Sequence, residues 1–179
     1  MSTRSRAAFC VLLTACSLAT TAPAEAQRLA WRKVSPAVSP PATYGHAMAY
    51  DPLRQRVVLF GGVGGPSCCA QPNADVWEWD GAIWAKASPT GPAPPARAFG
   101  ALAYAPGPKQ VLAFGGLDSG NVPNDQTWLW NGTNWTEVPK PAPPAVAPTA
   151  RFRAQAITAS DGLGVLLFPG ATQAGTPED

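Results

Sequence analysis

The chain has 179 residues, with 13 Lys plus Arg against 11 Asp plus Glu and a formal net charge of +2. That balance lacks the clustered basic excess of a nucleic-acid footprint, so nucleic acid is excluded as a partner. The length suits one domain, and a lone histidine has no companion with which to build an imidazole metal site.

Residues 1–26 read as an export signal. Arg4 and Arg6 form a basic start, Ala7 to Leu18 an apolar run too short to span a bilayer, and Ala24-Glu25-Ala26 a small-x-small cleavage site. Leu13-Thr14-Ala15-Cys16 also resembles a bacterial lipobox. Conventional cleavage makes the product secreted or periplasmic, whereas lipidation at Cys16 would anchor it to a membrane.

The remainder, 27–179, is organised by an internal repeat. AYDPLRQRVVLFGG, a loop and DVWEWDGAIW are followed by AYAPGPKQVLAFGG, a loop and QTWLWNGTNW. Phe60 and the pair Gly61-Gly62 recur 54 positions on as Phe114 and Gly115-Gly116. Trp77, Trp79 and Trp84 recur 51 positions on as Trp128, Trp130 and Trp135, so the second loop is shorter. Arg151 and Phe168 repeat Arg97 and Phe114 and open a third copy. Residues 31–34, WRKV, match the last strand of each copy, WAKA and WTEV, and a proline-rich connector follows every such segment.

Each copy reads as four strands. Tyr44 to Tyr50 and Phe99 to Tyr104 are small-residue segments suited to a crowded axis. Arg56 to Phe60 and Gln110 to Phe114 are apolar runs suited to burial on both faces. The next strand alternates at period 2, which places Trp77 and Trp79 on one face and Glu78 on the other. Asp80-Gly81 and Asn131-Gly132 are tight-hairpin signals leading into the fourth strand. The glycine pairs mark strand ends where the backbone needs unusual φ or close approach. The tryptophans, recurring at fixed positions, are read as packing between neighbouring units rather than as sugar platforms.

This pattern resembles the kelch repeat, in which one unit is a four-stranded blade of a β-propeller, within the galactose oxidase-like superfamily. The resemblance implies an all-β fold: a partial kelch-type β-propeller, two complete four-stranded blades plus part of a third. The blades span 43–87 and 97–138, with a partial blade at 151–179 and 31–34 as the last strand of a preceding or closing blade. Unpaired edges at Trp31 and Val165 to Phe168 would favour self-association. Galactose oxidase-like enzymes build a copper site from Tyr and His residues, but His46 stands alone in the register of Gly100. No catalytic constellation and no cofactor is therefore expected.

In such blades the long loops, Gly61 to Ala74 and Gly115 to Gln126, emerge on one face, where binding usually sits. The candidate binding-face residues are Asn73, Asp75, Asp118, Asn121, Asn124 and Asp125. The last four gather oxygen ligands as a calcium loop does, yet Asn and Asp before a strand also cap loop backbone. Cys68 and Cys69 in the first loop could close a vicinal disulfide, bridge to another chain or form a redox pair. The function expected is an exported interaction module, not an enzyme, binding a protein or glycan partner. The alternative is a fragment of a galactose oxidase-like or other carbohydrate-active propeller protein whose active blades lie elsewhere.

Overall fold

The computed structural model describes residues 31–65 and 71–172. The chain divides into a unit Met1–Val34 and a unit Ser35–Asp179. In the first, the described residues 31–34 carry no strand, although their sequence matches a blade's fourth strand. The export signal with Cys16, and the pair Cys68-Cys69, lie outside the described residues.

Among the described residues, twelve short strands occupy the second unit. The first six are β1 (Thr43–Tyr44), β2 (Ala47–Asp51), β3 (Arg56–Phe60), β4 (Val63–Gly64), β5 (Val76–Trp79) and β6 (Trp84–Ala87). Strands β2, β3, β5 and β6 form one antiparallel sheet in that order, while β1 pairs with β4 in a small ribbon beside it. Residues 44–50, expected as one inner strand, are thus split in two. Gly45 turns the chain at φ +65°, and a Cβ there would lie 2.9 Å from the Phe99 ring, so no other residue fits without strain.

The second sheet repeats the first as β7 (Ala101–Ala105), β8 (Gln110–Phe114), β9 (Thr127–Trp130) and β10 (Trp135–Val138). The register repeats as well: Leu59 opposes Trp77 as Ala113 opposes Trp128, and Trp79 opposes Trp84 as Trp130 opposes Trp135. A third sheet holds the two strands β11 (Gln155–Thr158) and β12 (Val165–Phe168). The fold is a partial β-propeller: two complete four-stranded blades and part of a third.

The outer hairpins turn as their sequences predict. Asp80 Oδ1 accepts hydrogen bonds from the amides of Ala82 and Ile83, and Asn131 Oδ1 from those of Thr133 and Asn134. Each side chain thereby folds the turn on itself and leaves Gly81 and Gly132 to take φ near +100°.

The core is the seam between the first two blades. Because side chains alternate along a strand, Val58, Phe60 and Val76 share the face turned to the second blade. They pack there against Leu102, Val111, Ala113 and the trio Trp128, Trp130 and Trp135. Phe60 and Trp135 have ring centroids 5.0 Å apart, tilted by 55°. Glu78 lies on the same face and accepts a 2.7 Å hydrogen bond from Trp130 Nε1 and a 2.6 Å one from Arg54. Arg54 also holds the buried carboxylate of Asp51 at 2.8 Å, so one polar chain crosses the rim of the seam.

Two sets of backbone bonds join successive blades with the period of the repeat. Gly62 N donates to Arg97 O and Gly116 N to Arg151 O. Nearer the axis Phe99 N donates to Gly45 O, and Arg153 N to Phe99 O. All three of these axial residues hold positive φ. The glycine pairs are explained by the first set: a Cβ on Gly61 would lie 2.4 Å from Arg97 O, and one on Gly115 would lie 2.5 Å from Arg151 O.

Candidate functional site

The long β3–β5 and β8–β9 connections leave the sheets on one face, and each is closed at its root by the same three-bond cycle. Gly62 N donates to Arg97 O, Arg97 N to Asn73 O, and Asn73 N back to Gly62 O. One repeat on, Gly116 N donates to Arg151 O, Arg151 N to Asn124 O, and Asn124 N to Gly116 O. The loops therefore rise from a braced backbone platform shared between neighbouring blades.

The candidate side chains serve that platform to different degrees. Asn73 donates through Nδ2 to Gly62 O and accepts through Oδ1 from Asp75 N. Asn124 Oδ1 likewise accepts from Gln126 N at 2.6 Å, and its amide reaches Gln126 Oε1. Asp118 Oδ1 accepts from the amides of Gly120 and Val122, folding the tip of the second loop, where Asn121 stands in the left-handed region at φ 59°. Asp125 pairs with Lys140 at 2.6 Å and Asp75 with Lys86 at 2.8 Å.

A calcium cage would require Asp118, Asn121, Asn124 and Asp125 to turn their oxygens to one ion. Instead Asp118 Oδ1 and Asn124 Oδ1 are engaged by backbone amides of their own loop, and Asp125 Oδ2 by an ammonium group. Among the described residues no group of three His, Cys, Asp or Glu side chains gathers in metal-binding range. His46 is exposed between β1 and β2.

One functional-looking residue was not singled out by sequence reasoning. Arg97 is only 3% exposed, and burial pushes its guanidinium pKa down to about 10 against the opposing pull of Glu137. It therefore stays charged at neutral pH. Its only sequence signal is the repeat itself, since it recurs as Arg151 but stands as Thr43 in the first copy.

The described surface includes two depressions that repeat-equivalent or loop-root residues line. One of about 440 Å³ lies where the inner strands β2, β7 and β11 come together, lined by Tyr50, Tyr104 and Thr158 at equivalent positions of the three copies. The other, about 210 Å³, opens at the root of the first loop between Thr43, Asn73, Asp75 and Trp77. The described part of the loop face thus carries a rigid frame, a polar tip at 118–122 and a cavity at the root of the first loop.

No protein-family model matches the chain, and no curated protein matches it. The chain is similar to the solved structure of YjhT, with a TM-score of 0.59 and 17% sequence identity over 83% of this chain. It spans 43% of the length of that structure. At that identity the likeness carries the fold alone.

Proposed function

We propose that this chain is an exported kelch-repeat interaction module that binds a protein or glycan partner through its long-loop face. The observation that carries the reading is the braced cycle beneath each long loop. The roots are braced, and the tip at 118–122, itself folded by Asp118, presents exposed polar groups at Ser119 and Asn121. A rigid scaffold bearing variable polar loops is the arrangement binding proteins use, because little ordering entropy is lost on association. The titratable side chains of this face hold backbone or one another, which suits recognition better than proton transfer. The export signal at the N-terminus supports action outside the cytoplasm.

The test is binding of the purified chain to arrays of glycans and of exported proteins, repeated with residues 118–122 replaced by two glycines. That variant keeps the root cycle at Gly116 and Asn124. The expected result is a ligand whose affinity falls at least tenfold in the loop variant at an unchanged melting temperature. Full retention of binding would sink the proposal.

A further inference from the structure

The second blade fills a socket that the first blade leaves open. Arg97 turns its side chain into the root of its own blade's loop. Its Nη1 donates to Gly115 O at 3.2 Å and Asn124 Oδ1 at 3.4 Å, and its Nη2 donates to Gln126 Oε1 at 2.9 Å. Its Nε donates to Pro95 O at 3.1 Å, so the planar fork is met on every side by an acceptor.

The first blade repeats these partners without the arginine. Gly61, Asn73 and Pro41 stand in the places of Gly115, Asn124 and Pro95, and Thr43 in the place of Arg97. Thr43 is too short to reach the loop root, and its hydroxyl is turned to Val63 O at 3.0 Å. The space it leaves is the 210 Å³ cavity, which Trp77 also lines. The remaining counterpart, Gln126, is replaced by Asp75, so a neutral acceptor becomes an anion. Lys86 pairs with one Asp75 oxygen from a side chain that is 51% exposed, an arrangement of little strength in water. An aromatic ring and a carboxylate around a void of this shape suit a delocalised planar cation.

We propose that this cavity binds a guanidinium group, presented as the arginine side chain of a polypeptide partner. It names a ligand chemistry for one corner of the loop face and rests on the loop-face reading for that partner's approach. A ligand arginine would lie as Arg97 does in the next blade, with its fork on Gly61 O, Asn73 and Asp75.

The experiment is titration of the full chain with N-acetyl-arginine-N-methylamide, followed by calorimetry and amide chemical shifts. Its citrulline counterpart serves as a neutral isostere, and free arginine as the small-molecule source. Saturable binding is expected, at least tenfold weaker for the citrulline probe and weaker for free arginine, whose charged, strongly hydrated backbone termini replace the capped amides of a polypeptide. Thr43→Arg supplies the guanidinium from within the chain and should abolish probe binding while raising the melting temperature. Asp75→Asn should weaken binding about tenfold with the fold retained by circular dichroism. Absence of saturable binding, equal binding of citrulline, or undiminished binding by a folded Thr43→Arg variant would each overturn the inference. Tighter binding of free arginine than of the capped probe would overturn the polypeptide source. If the 118–122 variant loses an array ligand while no guanidinium probe binds, this inference alone falls. If the probes bind and no array ligand depends on the loops, the broader reading falls instead.

Discussion

Trp128, Trp130 and Trp135 lie in the seam at 4%, 0% and 4% exposure, whereas Trp77 is 9% exposed and Trp79 and Trp84 are only half-buried. The two trios occupy the same strands in the same register. What differs is the neighbour. The second trio faces Val58, Phe60 and Val76 of the blade before it, while the first lies on the face of its blade turned away from the second. Burial here is therefore a property of the junction between repeats, as expected where each repeat contacts only its neighbours. The junction also tolerates a local cost. The indole N–H groups of Trp128 and Trp135 are buried without a partner, a loss of about 1–3 kcal/mol each. Burying an indole of about 200 Å² returns on the order of 3–5 kcal/mol, so packing wins.

Substitution of the tryptophans breaks the comparison most sharply. Trp130→Ala should destabilise the chain by about 3–5 kcal/mol, since it empties the seam and removes one of the two hydrogen bonds to Glu78, whereas Trp79→Ala should cost about 1 kcal/mol. Denaturant titration of both variants measures the difference, and equal costs would mean that the first trio has a partner face after all.

The glycine pairs give the next largest effect. A Cβ on Gly61 meets the Arg97 carbonyl within the seam, and one on Gly115 meets that of Arg151. Gly61→Ala should cost about 2–3 kcal/mol, because both blades are fixed by the core; Gly115→Ala should cost about 1–2 kcal/mol, because the two-stranded third sheet can shift. Thermal melts of the pair distinguish a rigid seam from a pliant one. Smallest are the outer turns. Asp80→Ala and Asn131→Ala each remove two side-chain hydrogen bonds at exposed sites and should cost about 0.5–1 kcal/mol, Asp80→Ala slightly more because it also breaks the solvent-exposed ion pair with Arg56. A larger cost for Asn131→Ala would show that the blade faces influence even their rims.

The strands, the tight turns and the faces of Trp77, Trp79 and Glu78 were legible because period-2 alternation and Asp-Gly or Asn-Gly signals are local. Glu78 could be assigned a face but not a partner. Its ligands Trp130 and Arg54 are 52 and 24 positions away, and Leu129 in the second copy offers no precedent. The break at Gly45 escaped notice because small residues on both sides of it suit a strand equally well. Its cause, the Phe99 ring, belongs to the next blade. At the candidate site the loop roots were legible as capping Asn and Asp, but the open socket was not. An absent arginine is visible only when the filled copy shows what the residue does.

The axial bonds from Gly45 to Phe99 and from Phe99 to Arg153 follow one rule, one residue per repeat handing its carbonyl to the next. Such a rule is indifferent to how many times it is applied. A gene built this way can gain or lose a whole unit of 54 codons, the spacing of Phe60 and Phe114, without redesign of any interior join. Selection would then act on individual units, leaving one free to drop an arginine that its sister keeps.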